Sequence, residues 1–404
     1  MDSATIRIAA VADAAARWRD ADFPPRVRAT RAIERRTGYT EPVVDYALDA
    51  LFGTLDAATL HATIAGELGA VEALDDFVAR AGRPDVRYRA LAKAMLVSSD
   101  TTIGVAIPAL AFALCAGCDV AVKDRDDRLV AAFAASIAEE RSELRERIAT
   151  AVWDGATSAG AESAGLGAAD VVVAYGGDAA LGAIRSRVRV DARFVAYGHR
   201  TSIGYVTRET LADAAALHAA AAGAARDALL YDGEGCLSAH ALFVESDAPT
   251  SVASFARIVA AACDAAAIEF PAGYDDPDGA VVAYRRAALF RAAQGTGAAY
   301  AGSRAPHLVV LDPPGDEPPP LLRRTLAVYS VASPAVADAF LRRHRVPLEG
   351  VALSSFARAD VLAFASASGA ARLARLGTLQ RPPLGGEHGG AGRILPFVRA
   401  IYRA

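Results

Sequence analysis

The stretch ADVVVAYGGDAALGAIRSR, residues 169–187, decides the fold class. Val171 to Tyr175 is continuously apolar, as a parallel strand buried on both faces requires. A Gly-Gly turn follows, then AALGAIRSR, whose apolar spacing is helical. The same strand-then-helix unit recurs on either side. AMLVSS (94–99) reads as a strand and PALAFALCAG (108–117) as a helix with Pro108 in its first turn. CDVAVKD (118–124) is the next strand, Arg128 to about Ala151 the next helix, RFVAYG (193–198) a further strand, and Glu209 to Leu229 a further helix. Strands alternating with helices predict an α/β fold with parallel strands and crossover helices.

Working outward, residues 1–95 read as a helical, alanine-rich lead-in, on the periodicity of LDALFGTL and ATLHATIAGELGAVEALDDFVARAG. The α/β pattern restarts at YDGEGCLSAHALFVESD (231–247), with a helix in VASFARIVAAACDAAA (252–267) and a loop in FPAGYDDPDGA (270–280). PHLVVLDPP (306–314), TLAVYSV (325–331) and VALSSF (351–356) read as strands, with a helix in VADAFLRRH (336–344). The tail LQRPPLGGEHGGAGRILPFV (379–398) is rich in Gly and Pro and needs contacts elsewhere to be ordered. These patterns divide the chain into residues 1–229, residues 230–370 and a tail, 371–404, that packs back on the rest.

With 404 residues, 53% of them hydrophobic, the chain can bury a large core and form more than one domain. Its 43 basic and 47 acidic residues leave a net charge of -4, which gives no electrostatic reason to expect nucleic acid or an anionic membrane as partner. The N-terminus lacks the basic-then-apolar order of a signal peptide. Thr101 to Cys118 is uncharged and about the minimum length for a bilayer span. Asp100 and Asp119 bracket it and Gly104 and Pro108 interrupt it, so it reads as a buried strand-and-helix unit, with no stable membrane insertion. Four cysteines suit a reducing cytoplasm better than a disulfide scaffold. Cys115 and Cys118 form a CxxC without a second pair, so they read as two small core residues and no metal is expected.

Four motifs, in this order, carry a resemblance: CAGCDVAVKDRDD (115–127), VVVAYGGDAALGAIRSR with RFVAYGHRTSIGYV (171–187 and 193–206), DGEGCLSAH (232–240) and RPPLGGEHGGAGRIL (381–395). Together they resemble the long-chain acyl-CoA reductase family of bacterial luminescence systems, a branch of the aldehyde dehydrogenase superfamily. The similarity spans about residues 45 to 404. It implies an aldehyde-dehydrogenase-like α/β fold, with a Rossmann-like cofactor domain in residues 1–229 and an α/β catalytic domain in 230–370. It also implies NADPH in preference to NADH, and a homo-oligomer. The implied chemistry is a cysteine that takes an acyl group from coenzyme A or a carrier protein as a thioester, which hydride then reduces to an aldehyde.

A thioester-forming enzyme needs a reachable thiolate. Cys236 sits in a glycine-flanked loop, whereas Cys115, Cys118 and Cys263 lie in apolar or alanine-rich helix patterns. The residues alone leave Cys236 equally an inert loop cysteine; the resemblance makes it the nucleophile. If Leu237 and Ser238 open a helix, their N–H groups lower the thiol pKa and hold a tetrahedral oxyanion. The chain has no GxGxxG after a strand, and the shorter turn Gly176-Gly177 stands in its place. Lys123, at a strand end, matches a superfamily lysine that contacts the adenosine ribose or its phosphate; otherwise it is a solvated lysine. Ser98 and Ser99 are candidates for the same pocket wall.

His199 and Arg200 match a GHR run of the resembling family, where a histidine orients substrate or moves a proton; the plain alternative is a loop histidine. His199 precedes Cys236 by 37 residues, near the spacing at which aldehyde dehydrogenases place a general-base glutamate, and ARFVAYGHRTSIGYV holds no carboxylate. Hydrolysis of an acyl-enzyme is then disfavoured relative to reduction or acyl transfer. The asparagine that the family places before Pro108 is also missing from SSDTTIGVAIP, where Asp100 or a neighbouring Ser or Thr takes its place; either Ser99 or Thr101 supplies the oxyanion donor or the catalysis is altered. His388 matches a histidine of the family's C-terminal pattern, as a substrate contact or as a structural residue. The alternatives to a reductase are a Cys-dependent acyltransferase that has lost hydride transfer, and a non-catalytic scaffold subunit.

Overall fold

The computed structural model describes residues 3–99, 102–125, 127–152, 159–274, 279–302, 306–313, 315 and 317–403. Two compact units emerge. The first comprises residues 1–37, 44–199 and 383–404, the second residues 38–43 and 200–382.

Unit 1 begins with the expected helical lead-in: α1 (Ala4–Trp18), α2 (Pro24–Thr37), α3 (Glu41–Thr54, in unit 1 from residue 44 on) and α4 (Ala57–Leu68). Asp56 caps α4 by accepting from the Thr59 N–H at 2.8 Å. Trp18 is fully buried against Phe52 and donates to Ser136 Oγ at 3.0 Å, so the lead-in shares the core of the α/β part.

The expected helical region then ends early. β1 (Val78–Arg80) and β2 (Arg83–Ala90) form an antiparallel pair. Next come β3 (Lys93–Val97), α5 (Ile107–Ala116), β4 (Asp119–Asp124) and α6 (Leu129–Glu140). The helix expected to run to Ala151 stops here. A 3-10 turn (Ser142–Arg147) leads into β5 (Ile148–Val152), whose Ile, Thr and Val alternate at period two and pair with β4. Then follow α7 (Ala159–Ala168), β6 (Val171–Tyr175), α8 (Asp178–Arg185) and β7 (Arg193–Tyr197). β3 to β7 form one parallel sheet in the order β5-β4-β3-β6-β7. β6 is buried at every position, as its apolar run requires.

Unit 2 contains β8 (Thr201–Val206), α9 (Arg208–Ala212), α10 (Ala214–Leu229), β9 (Ala239–Glu245), α11 (Pro249–Glu269), α12 (Gly279–Ala293), β10 (Ala298–Ala301), β11 (Leu308–Asp312), β12 (Thr325–Val331), α13 (Pro334–Arg343), β13 (Leu348–Leu353), α14 (Ala359–Ala367) and β14 (Arg372–Arg375). Its sheet has the order β10-β11-β12-β9-β8-β13-β14 and is parallel except for β10. The division falls at 199/200 rather than 229/230, because TSIGYV forms β8, which lies between β9 and β13 at the centre of this sheet. Val252, Phe255 and Val259 of α11 pack on one face, with Leu242 and Val244. Phe340 and Phe364 pack on the other, with Tyr205 and Phe243.

Among the described residues, one helix is long and apolar enough to cross a membrane, Thr250–Glu269 within α11, and its apolar stripe lies in this core. The apolar stretch 101–118 yields the shorter helix α5.

The tail divides as well. Residues 372–375 belong to unit 2 as β14, and from residue 383 the chain belongs to unit 1. There the Glu67 carboxylate accepts from the N–H groups of Arg393 (2.5 Å), Ile394 (3.0 Å) and Leu395 (3.0 Å). Finally β15 (Val398–Arg403) pairs antiparallel with β2 and completes the sheet β1-β2-β15.

Candidate active site

The loop that carries Cys236 is built on a strained turn. After α10, Tyr231 and Asp232 adopt left-handed backbone angles (φ 56° and 53°), followed by Gly233 at 76°. For non-glycine residues that region costs about 1 kcal/mol each, so tertiary contacts must hold it. Asp232 meets the Arg324 guanidinium at 2.9 Å, with both side chains almost wholly buried. The Arg324 N–H donates to the Asp232 carbonyl at 2.9 Å, and Arg324 also donates to the Phe270 carbonyl. The Tyr39 hydroxyl donates to the Tyr231 carbonyl at 3.3 Å, and Arg323 meets Glu234 at 2.6 Å. A side chain at Gly233 would be strained at this φ and crowded, with its Cβ 3.2 Å from the Ala228 carbonyl oxygen and 3.3 Å from the Arg324 nitrogen.

From this anchor Gly235 to Ser238 make a turn and the chain enters β9 directly. The helix expected to open at Leu237 and Ser238 is a turn instead. The Ser238 N–H is spent on the Gly235 carbonyl at 2.8 Å, and its buried hydroxyl accepts from Gln380 Nε2 at 2.8 Å. The segment before Gln380 is held in turn by the Asp227 carboxylate, which accepts from Gly377 (2.6 Å) and Leu379 (3.1 Å). Ser202 Oγ, on β8, donates to the Cys236 carbonyl at 2.9 Å.

Cys236 is half-buried, whereas Cys115, Cys118 and Cys263 are buried. Its thiol is pushed up to about 12, first by desolvation and then by the negative charge of Glu349. The N–H groups of Cys236 and Leu237 and the charge of Arg200 oppose this without overcoming it. The expectation of a depressed thiol pKa is therefore corrected, because without a helix start the local amides do not outweigh burial. Glu349 lies on β13 with its side chain 9% exposed, 3.7 Å from Arg200 Nε. Cys236, Arg200, Ser202 and Glu349 thus gather at the N-terminal ends of β9, β8 and β13. Ligands of open α/β sheets ordinarily bind at the opposite edge.

In unit 1 the C-terminal edge holds the other candidates. Lys123 pairs in register with Val97, and its carbonyl accepts from the Ser98 N–H at 3.2 Å. Ser98 is buried and Ser99 half-buried. Gly176 donates to the Tyr197 carbonyl at 3.2 Å, and Gly177 is the N-cap of α8. His199 is exposed in the loop after β7. His388 closes a tight turn through mutual backbone bonds with Ala391 (3.0 and 2.9 Å), with Gly389 and Gly390 at φ 56° and 78°. Its ring stacks on Tyr197 at 3.9 Å, and Tyr197 stacks on Tyr175 at 4.9 Å. Burial, with the Arg393 charge adding to it, pushes the imidazole down to about 4, so His388 is neutral at pH 7. Thr101 and Asp100 lie outside the described residues.

The family model described as acyl-CoA reductase (LuxC) matches residues 4–400. The chain belongs to the acyl-CoA reductase (LuxC) family. No curated protein matches its sequence. Its fold is that of the aldehyde dehydrogenases. An oxidoreductase from Marinobacter aquaeolei superposes with a TM-score of 0.71 at 15% identity, covering 98% of this chain and 84% of that one. An NAD-dependent benzaldehyde dehydrogenase from Corynebacterium glutamicum gives 0.68 at 15%, covering 99% and 85%. The glyceraldehyde-3-phosphate dehydrogenase GapN from Methanocaldococcus jannaschii, complexed with NADP, gives 0.69 at 10%, covering 98% and 89%. At such identities the superpositions speak for the fold; the family match makes the chain an aldehyde-related oxidoreductase.

In this LuxC-family chain the sequence-predicted residues fall into separate groups. Cys236, Leu237 and Ser238 share the turn in unit 2. Lys123, Ser98, Ser99, Gly176 and Gly177 share the C-terminal sheet edge in unit 1, and His388 belongs to the aromatic stack there. Sequence reasoning missed Ser202, Gln380 and Glu349. Glu349 is a lone acid followed by glycine in VPLEGVAL, a pattern that by itself signals no site, and a strand read from Val351 does not include it.

Proposed function

We propose that this chain is an NADPH-dependent acyl-thioester reductase. It takes an acyl group from coenzyme A or a carrier protein onto Cys236 and releases it as an aldehyde. The observation that carries this reading is the construction of the Cys236 loop. Cys236 is the least buried of the four cysteines, its carbonyl is pinned by Ser202, and the preceding turn is held in left-handed angles by the buried Asp232–Arg324 pair. Residues held under strain at a nucleophile are a mark of a preorganised site.

The cofactor edge fits a dinucleotide. Gly177 is the N-cap of α8, and beyond its chain neighbours nothing lies within 4 Å of where its Cβ would be, which leaves the backbone there accessible to a ligand, although Asp178 adds a negative charge to the first turn. In this reading Lys123, Ser98, Ser99, Gly176 and Gly177 hold the cofactor, which supplies hydride when bound. The chain's own residues do the rest. Ser202 fixes the loop, the Cys236 and Leu237 N–H groups steady negative charge at the sulfur, and His199 orients substrate from the loop after β7.

The test incubates the protein with acyl-CoA thioesters from acetyl to palmitoyl, with NADPH, NADH or neither, and with Cys236→Ala as control. Intact mass and nicotinamide absorbance are followed. The expected result is an acyl adduct absent from the variant, with acyl-dependent oxidation of NADPH faster than of NADH. An adduct without oxidation of either cofactor would leave an acyltransferase, and the absence of an adduct with every donor would remove Cys236 as nucleophile.

A further inference from the structure

Where β13 runs beside β8, Leu348 pairs with Thr201 and Gly350 with Ser202. Glu349 is the extra residue between them, in a β-bulge. A bulge bends its strand and re-aims the side chain it carries. This one abuts the nucleophile's turn. A Cβ added at Gly350 would lie 2.9 Å from Ser202 Oγ and 3.3 Å from Leu237 Cδ2, so backbone and turn pack as closely as glycine allows. Ser202 Oγ in turn donates to the Cys236 carbonyl at 2.9 Å. Arg200 Nε stands 3.7 Å from the Glu349 carboxylate, which has little access to solvent. The Cys236 thiol is protonated at neutral pH, and the run 192–206 offers no carboxylate to take its proton.

We propose that Glu349 is the proton acceptor for Cys236 during acyl transfer, delivered to the nucleophile by the bulge in β13. This rests on Cys236 being the nucleophile. As Sγ bonds to the acyl carbon, its proton passes to the Glu349 carboxylate. The bond from the acyl carbon to the donor's sulfur then breaks, and Glu349 returns the proton to the departing thiolate. The products are acyl-Cys236 and a free thiol, with Glu349 ionised again and no redox change. Arg200 is a positioning residue, its guanidinium 3.7 Å from the Glu349 carboxylate.

The test compares wild type, Glu349→Gln and Glu349→Asp in two reactions of one sulfur: single-turnover acylation by acyl-CoA thioesters, and alkylation by iodoacetamide, which needs no proton acceptor beyond solvent. Glu349→Gln should acylate at least about 100-fold more slowly while its alkylation is not slowed, since a neutral neighbour disfavours the thiolate less. Glu349→Asp should recover part of the acylation. A damaged fold would alter both reactions together, so parallel losses overturn the proposal. Acylation of Glu349→Gln within about threefold of wild type, or a folded Glu349→Asp no better than Gln, also overturns it. Failure of wild type itself to form an adduct would instead be the failure of Cys236 as nucleophile.

Discussion

In the ligand-free protein, iodoacetamide should alkylate Cys236 about a thousandfold more slowly at pH 7 than it alkylates an ordinary thiol. The structure sets that figure. The thiolate is the reacting species, and burial together with the Glu349 charge moves the thiol from 9.0 to about 12. Each unit is a tenfold loss of thiolate at any pH well below both values. The rate should therefore climb about tenfold per pH unit from pH 6 to pH 10 without a plateau. Neighbouring charges give the sign of two variants. Removing the Glu349 charge should speed alkylation, and Arg200→Ala should slow it, because Arg200 favours the thiolate. Peptide mapping keeps the assay specific, since Cys115, Cys118 and Cys263 are buried and their thiols are also pushed up to about 12. A plateau below about pH 8, or a rate at pH 7 matching free cysteine, would refute the reasoning.

Two further outcomes test the frame around the site. Arg324→Met leaves Asp232 buried without its counter-charge and should cost about 3–5 kcal/mol, read from the shift in urea midpoint; Asp232→Asn in the same chain should recover part of it, and a loss below about 1 kcal/mol would contradict the anchoring role. Asp227 titrates in the opposite sense to a salt-bridged carboxylate. Burial raises it from 3.8 to about 7 despite the Gly377 and Leu379 amides, so its contribution is full below about pH 4 and is lost as pH rises through 7. The loss is on the order of 4 kcal/mol, and Asp227→Asn should flatten the decline of stability between pH 4 and 7 relative to wild type. An unchanged slope would show that Asp227 is ionised throughout.

Much of the fold is legible because the decisive strands are apolar on both faces. β6, β9 and β12 announce themselves in VVVAY, ALFVE and TLAVYSV, and their crossover helices follow from turn residues and spacing. Elements whose partners are distant in sequence were lost. RPDVRYRA looks like the end of a polar helical region until Val398–Arg403 pairs with it from the far end of the chain. IATAV looks like the last turns of α6, and it is a strand because β4 offers it an edge. TSIGYV forms the middle of the second sheet, and placing it there moves the boundary between units from 229/230 to 199/200.

The site shows the same division between local and non-local information. The loop that carries Cys236 is legible from its own surroundings, because two glycines and a break between helix and strand predict it, while a role for its thiol is not. Glu349 is not legible that way. Its position depends on a one-residue slip between β13 and β8, and strand register is a property of two segments that sequence spacing alone does not specify. The sign of the thiol's shift also needed the tertiary structure. A sequence reader who assumes a helix start after Cys236 assigns the loop amides to the sulfur and infers a thiolate. In the folded chain Ser238 spends its N–H on Gly235, the turn runs straight into β9, and a buried carboxylate arrives from another strand. A thiol kept protonated until a base takes its proton reacts when an acyl donor is in place and is protected from stray oxidants and alkylators otherwise. On the proposal that Glu349 takes the proton, that selectivity would come from Glu349 and burial acting together, and neither is visible in the residues around Cys236.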